Sequence, residues 1–178
     1  EHVVIASGAW AQETGKMLGV SLPFRPLRRH LVVLDARDAF ALDQVFWRVD
    51  KKACYMRPES GKILFSPCDE TLMSPQAPPK DADALLLTGE GTSQTVPGLN
   101  TAEVITYWAG LRTFSADRWP VLGPDPRSPG LHWCAGLGGH GMTIGLGAAA
   151  QVAQGVQGFR SQLLERYGVK RLLSPDFT

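Results

Sequence analysis

The sequence predicts an α/β (α+β) protein with a mixed, largely antiparallel sheet, and three observations support this fold class. The β-branched run "VVIA" at Val3–Ala6 is typical of a strand buried on both faces of a parallel or mixed sheet. The middle of the chain holds several short apolar runs separated by turn residues, which is an antiparallel pattern. Near its end, apolar residues recur at three- and four-residue intervals, which favours a long helix.

Composition and charge exclude several classes of function. The chain has 178 residues and a net charge of +1, which argues against a nucleic-acid or membrane-surface partner. No apolar run approaches the roughly 20 residues that a transmembrane segment needs. The three cysteines, Cys54, Cys68 and Cys134, are odd in number and far apart, so we expect neither a disulfide framework nor a metal site. Free thiols of this kind are typical of a cytoplasmic protein.

The first half of the chain reads as a helix followed by short strands. A turn follows the first strand, and Trp10–Leu18 predicts a short helix. A good hairpin loop, "PESG", lies at Pro58–Gly61. Four runs predict strands of the antiparallel region, namely "RRHLVVLDA", "QVFWRVD", "ACYMRPE" and "GKILFSP".

The second half contains two further strands and the longest helix. Residues 84–100 begin with a helical pattern, but Gly89, Gly91 and several threonines lower the helix propensity and favour a loop. The runs "AEVITYWAGLRTFS" and "LHWCA" predict strands. The longest helix is predicted from Met142 to about Tyr167.

A glycine-rich turn in "CAGLGGHGMTIG" links the last strand to this helix. Gly136, Gly138 and Gly141 spell G-x-G-x-x-G, which is also the spelling of a nicotinamide dinucleotide site. Such a site needs a further strand after the helix, and "GVKRLLS" is the remaining candidate. The first N–H groups of the helix, near Met142 and Thr143, are expected to have no intrahelical partner and to attract an anion or an electron-rich ring. Close packing of strand and helix, with nothing bound, is the alternative.

Four segments, in this order and with this spacing, resemble the D-amino-acid oxidase-like family of flavoenzymes, which includes glycine oxidase, sarcosine oxidase and D-amino-acid dehydrogenase. The resemblance covers nearly the whole chain, and the ordered set is more specific than any single motif. The segments are "VVIASGAWA" (Val3–Ala11), "YMRPESGKILFSP" (Tyr55–Pro67), "WAGLRTFSADRWPVLGP" (Trp108–Pro124) and "AGLGGHGMTIGLGAA" (Ala135–Ala149).

The resemblance implies an FAD-binding domain formed by residues 1–24 and 115–178, and a substrate domain of residues 25–114. It implies oxidation of an amine or amino acid by hydride transfer to the flavin. Arg112 matches the arginine that binds the substrate carboxylate, and Tyr55 is a weaker candidate for the pocket. The implied FAD contacts are Ser7, Gly8, Trp10, Gly138, Gly139, His140, Gly141, Met142 and Thr143.

The sequence also departs from the family pattern. The N-terminal G-x-G-x-x-G turn and the acidic residue that hold the ADP half of FAD are missing, and Thr113 stands where a proline usually follows the substrate arginine. We therefore expect the C-terminal portion of a longer enzyme, inactive alone and binding FAD weakly or not at all. A non-catalytic remnant or interaction domain that self-associates through the face left by the missing part is the alternative, and a nicotinamide enzyme is a more distant one.

Overall fold

A computed structural model of the chain describes residues 1–36, 43–50, 52–99 and 101–173. Asn100, at the end of the predicted loop, and positions 174–178, at the end of the predicted FAD-binding part, lie outside these ranges. The chain divides into two compact units. The first contains Glu1–Leu27, Leu72–Gln76 and Arg112–Thr178, and the second contains Arg28–Thr71 and Ala77–Leu111. The assignment of FAD-binding and substrate roles to separate domains stays a prediction.

The described residues form nine strands, four α-helices and three 3₁₀ helices. The strands are β1 (Val3–Ile5), β2 (Phe24–Asp35), β3 (Phe46–Arg48), β4 (Cys54–Glu59), β5 (Lys62–Ser66), β6 (Thr71–Leu72), β7 (Glu103–Ser115), β8 (Val121–Pro124) and β9 (Leu131–Ala135). The α-helices are α1 (Ala11–Met17), α2 (Asp83–Thr95), α3 (Gly141–Val156) and α4 (Gln162–Arg166). The 3₁₀ helices are Gly8–Trp10, Pro97–Leu99 and Val169–Leu172.

The first unit is built on a three-stranded sheet with the order β1-β9-β8. β1 runs parallel to β9, and β8 runs antiparallel to it. Trp133 on β9 is fully buried and packs against Phe24, with their ring centroids 5.6 Å apart. The expectation that the first strand is buried on both faces is wrong, because Val3 and Val4 are 48% and 44% exposed. β1 lies at the edge of this sheet, where its side chains have fewer neighbours.

The predicted antiparallel region is confirmed. The sheet has the order β3-β4-β5-β2-β6, and β7 also pairs with β2. β4 and β5 form the predicted hairpin, and its two loop residues, Ser60 and Gly61, have φ angles of 49° and 77°. Positive φ angles at both positions match a type I′ turn, whose twist suits a two-residue hairpin. The core of the second unit contains Val32, Leu34, Ala36, Cys54, Met56, Ile63, Phe65 and Leu99.

The predicted long helix from Met142 to Tyr167 is wrong in its extent. α3 ends at Val156, and a separate helix, α4, follows. Gly158 has a φ of 88°, which ends the first helix in a left-handed conformation that glycine adopts without steric cost. Ser161 then caps α4, its hydroxyl accepting a hydrogen bond from the N–H of Leu164 at 3.2 Å. Phe159 lies between the two helices and is 63% exposed.

The predicted loop at residues 84–100 is also wrong, since most of it belongs to α2. Thr88 and Thr92 are buried, and their hydroxyls donate to the carbonyls of Ala84 and Thr88 at 2.7 and 2.9 Å. These bonds satisfy the hydroxyls within the helix, so the threonines can face the core. Gly91 lies against Phe65, where an added Cβ would come within 2.8 Å of the ring. Packing against the sheet therefore outweighs the low helix propensity of this segment.

The two glycines of α2 should respond to alanine in opposite directions. Gly89→Ala adds a Cβ with no atom within 4 Å and should stabilise the chain by about 0.5–1 kcal/mol through helix propensity. Gly91→Ala brings the same propensity gain but forces a contact with the fully buried Phe65, and overpacking of this kind costs about 1–3 kcal/mol. Urea unfolding of both variants tests this, and a stabilised Gly91→Ala chain would contradict the packing argument.

The nicotinamide alternative requires a strand after α3, and the described residues do not include one. The candidate run "GVKRLLS" forms the 3₁₀ helix Val169–Leu172, and no strand follows Ala135 up to residue 173, where the described part ends. Among all the residues that the structure describes, no helix is both long enough and apolar enough to cross a membrane.

Candidate functional site

Two turns leave the same edge of the three-stranded sheet. β1 and β9 are parallel neighbours, with Ile5 paired to Trp133, so their carboxyl ends point the same way. The chain leaves β1 into the 3₁₀ helix Gly8–Trp10 and leaves β9 into the glycine turn before α3. In open α/β sheets, ligands bind outside the carboxyl ends of parallel strands. The two segments that sequence analysis assigned to a cofactor thus share one edge of one unit.

The first turn is ordered by two hydroxyl groups. The Oγ1 atom of Thr14 donates to the carbonyl of Trp10 at 3.0 Å and lies 2.9 Å from the Oγ atom of Ser7. Since the proton of Thr14 is used in the first bond, Ser7 donates in the second. Gly8 has a φ of 55°, and a methyl group added to its Cα would have no atom within 4 Å, so the surface there is open. The side chain of Trp10 is 47% exposed.

The glycine turn is packed closely on other parts of the same unit. Gly136, Gly138 and Gly139 have φ angles of 68°, 58° and 89°, a region that other residues rarely adopt. An added Cβ on Gly136 would lie 3.0 Å from the ring of Phe24, and one on Gly138 would lie 2.8 Å from the ring of Phe114. The glycines of this turn therefore let its backbone pack closely against side chains of the chain itself.

The beginning of α3 offers fewer free amides than the sequence suggested. His140 is the N-cap residue. Its carbonyl accepts hydrogen bonds from the N–H of Thr143 at 3.0 Å and from the hydroxyl of Thr143 at 2.9 Å. The expectation that the N–H of Thr143 lacks a partner is therefore wrong, because the first turn of the helix closes as a tight turn. Among the described residues, the N–H groups of Gly141 and Met142 donate no backbone hydrogen bond. Both residues are exposed, Met142 to 99%.

Arg112 and Tyr55 lie in different units. Arg112 is half-buried near the end of β7, in the unit that contains both turns, and its side chain contacts the backbone of Gly139. Tyr55 is half-buried on β4 of the second unit, in register with Trp47 on β3 and Ser66 on β5. The structure thus brings together all of the predicted site residues except Tyr55 within one unit.

Sequence reasoning missed the residues on which the glycine turn rests. Phe114 supports Gly138, and the guanidinium carbon of Arg118 lies 4.0 Å from the centroid of the Phe114 ring. The available signal was position, because Phe114 follows Arg112 by two residues and so shares its face of the strand.

The buried histidine of the second unit has structural partners. His30 is buried in the second unit, with its Nδ1 atom 2.7 Å from a carboxylate oxygen of Asp69 and its Nε2 atom accepting from the N–H of Asp81 at 3.1 Å. Burial raises the pKa of the Cys134 thiol. Across the described ranges, no three histidine, cysteine or acidic side chains come together in a way that could hold a metal ion.

The chain is similar to several known proteins. Residues 1–155 match the family model described as DAO, FAD dependent oxidoreductase. The chain is 32% identical to the glycine oxidase of Geobacillus kaustophilus (strain HTA426) over 142 residues, which cover 76% of this chain and 35% of that protein. It is 30% identical to the mitochondrial dimethylglycine dehydrogenase of Rattus norvegicus, covering 69% of this chain and 17% of that protein.

The fold is also found in a solved relative. The crystal structure of the glycine oxidase from Geobacillus kaustophilus matches with a TM-score of 0.80 and 28% identity, covering 98% of this chain and 46% of that one. The chain therefore spans less than half the length of these relatives. The family predicted from the four segments is confirmed: the chain belongs to the DAO family of FAD-dependent oxidoreductases.

Proposed function

We propose that this chain is the C-terminal portion of an FAD-dependent enzyme that oxidises an amine or amino acid. The observation that carries the proposal is the common sheet edge, from which the turn after β1 and the turn after β9 both leave. Because the chain belongs to this family, we infer that its cofactor is FAD. The relatives include a glycine oxidase and a dimethylglycine dehydrogenase, so a small amine that carries a carboxylate is the substrate class we infer.

The residues at this edge fit a flavin. Gly141 and Met142 present backbone N–H groups at the positive end of α3, suited to the electron-rich pyrimidine edge of the ring. Gly8 leaves an open surface at the other turn, beside the half-exposed indole of Trp10. The two turns are shaped by Ser7, Gly138, Gly139, His140 and Thr143. The N–H groups of Gly138 and Thr143 already donate to backbone carbonyls, so we assign these two residues to the shape of the turn and not to hydrogen bonds with the flavin.

Bound FAD supplies the hydride acceptor for this reaction. The part played by the chain is binding and orientation. The planar guanidinium of Arg112 can hold a carboxylate through two parallel hydrogen bonds, which fixes the substrate in one orientation. Tyr55 remains a weaker candidate for the pocket wall. No acid or base is assigned, since a neutral amine can lose a hydride directly.

The test is to compare the 178-residue chain with the complete product of its gene. We expect the complete product to purify with FAD and to lose its flavin absorbance anaerobically with at least one of glycine, sarcosine, proline or a larger D-amino acid. The chain alone should retain little FAD after gel filtration. A complete product that binds no flavin, or that no amine reduces, would contradict the proposal. Fractionation of the source cells tests the cytoplasmic location.

A second candidate, a non-catalytic interaction domain, is favoured by one feature. α3 exposes Met142 to 99% and Leu146 to 90%, four residues apart on one face, with Ala149 and Ala153 exposed further along. An uncovered apolar face of this kind favours association. Light scattering of the chain over a concentration series separates the candidates, because a monomer that binds no apolar dye would remove the support for self-association.

A further inference from the structure

The glycine turn rests on one face of β7. The N–H of Gly138 donates to the carbonyl of Thr113 at 3.0 Å, which fixes the turn to the strand. On either side of Thr113, Arg112 and Phe114 point to the same face, because alternate residues of a strand share a face. Gly139 lies over Arg112 and Gly138 lies over Phe114. The turn assigned to the cofactor and the arginine assigned to the substrate are therefore in direct contact.

The contact between Gly139 and Arg112 leaves no room for a side chain at position 139. A Cβ added to Gly139 would lie 2.6 Å from Cδ, 2.7 Å from Nε and 3.0 Å from Cζ of Arg112. Cβ atoms in proteins almost never lie under 3.0 Å from a non-bonded heavy atom, so one of the two residues would have to move. Gly139 is held between Gly138 and the N-cap of α3, whereas the arginine side chain rotates about several bonds. The guanidinium of Arg112 is thus the group that would be displaced.

We propose that Gly139 is a positioning residue for Arg112: its missing side chain defines where the guanidinium lies and so sets the affinity for a carboxylate. The proposal rests on the carboxylate-binding role proposed above for Arg112. Two parallel hydrogen bonds require the guanidinium plane to face the carboxylate, and a shift of about 1 Å is enough to lose much of a positioned interaction. The glycine at position 139 is then required for substrate binding as well as for the conformation of the turn.

Gly136 provides a matched control. It lies in the same turn but is assigned to neither the cofactor nor the substrate, its φ of 68° is left-handed like the 89° of Gly139, and a Cβ there would also be crowded, at 3.0 Å. Its nearest contact is the ring of Phe24 and not Arg112. Gly136→Ala and Gly139→Ala therefore share backbone strain and local crowding, and they differ in whether the arginine is displaced.

The test follows the Nε–H signal of Arg112 by NMR in the 178-residue chain, assigned by its loss in Arg112→Lys. Acetate is titrated at constant ionic strength, with acetamide as the neutral control. We expect acetate to move the signal saturably in the unmodified chain. Gly139→Ala should shift the signal before acetate is added and weaken acetate binding about tenfold or more, whereas Gly136→Ala should change binding by less than about threefold. If an alanine variant does not fold, Gly139→Asn and Gly136→Asn replace the pair, since asparagine tolerates positive φ best among residues other than glycine.

The outcomes separate the two proposals. If acetate binds the unmodified chain and both variants weaken it equally, or if Gly139→Ala binds normally, Gly139 has no positioning role and the role of Arg112 stands. If acetate does not move the Arg112 signal in the unmodified chain, the carboxylate role of Arg112 is wrong, and the role of Gly139 is rejected with it.

Discussion

Given the role proposed for Arg112, replacing it by alanine should lower kcat/KM of the complete enzyme for a carboxylated amine by about 30- to 4,000-fold. Removing one partner of a desolvated charge pair costs about 2–5 kcal/mol, and each 1.4 kcal/mol is a factor of ten. The loss should fall mainly on KM, because in the proposed role Arg112 binds the carboxylate in the ground state as well as in the transition state. Arg112→Lys keeps the charge but not the planar fork, so it should recover only part of the loss.

The specificity of this effect can be checked with the substrate as well as with the protein. For a substrate whose carboxylate is replaced by a carboxamide, the unmodified enzyme should already be poor, and Arg112→Ala should change it by less than about fivefold, since no charge pair is lost. Arg160→Ala removes the same charge from an exposed position between α3 and α4 and serves as the protein control. Equal losses for the carboxylate and the carboxamide would show that Arg112 acts through structure and not through charge recognition.

Of the nine strands in the described residues, seven were predictable because their signals are local, whereas β6 and β8 were not predicted. The hairpin of β4 and β5 is specified by Ser60-Gly61, where two small residues with positive φ angles join two apolar runs. α2 could not be predicted in the same way. Gly91 is unfavourable in a helix taken alone, and what stabilises it there is the ring of Phe65, which lies on a strand of the same unit. Tertiary packing of this kind leaves no trace in the local propensity of the segment.

The site shows the same division between local and distant signals. The glycine spelling and the helix after it mark a turn at the end of a strand, and the structure contains both. The spelling does not show what each glycine approaches. Gly138 and Gly139 approach Phe114 and Arg112 on β7, and nothing in the sequence around the turn indicates that strand as the partner. Four ordered segments were therefore needed to predict the family, since the six-residue motif alone also matched a nicotinamide site.

The buried carboxylate of Asp125 beside Trp133 should contribute strongly to the stability of the chain. Asp125 is buried, and its Oδ2 atom accepts from the indole N–H of Trp133 at 2.9 Å and from Arg127 at 2.6 Å. The Oδ1 atom accepts from the backbone N–H and the Nε atom of Arg127, both at 2.9 Å. Burial by itself would raise the pKa of Asp125, but the hydrogen bonds from Arg127 and Trp133 outweigh burial and hold the pKa below its usual value.

Asp125→Asn should therefore lower the free energy of unfolding by about 2–4 kcal/mol at pH 7, because it leaves the indole and guanidinium donors facing a neutral group. A carboxyl whose pKa is lowered on folding stabilises the chain above its unfolded pKa of about 3.9 and loses this contribution as the pH falls through the folded pKa. The difference between the two proteins should thus be constant near neutral pH and shrink below about pH 4. Urea unfolding across this range measures it, with Glu90→Gln on the exposed side of α2 as the control. A difference that stays constant down to about pH 2 would mean that packing of the side chain, and not the charge of Asp125, stabilises the core around Trp133.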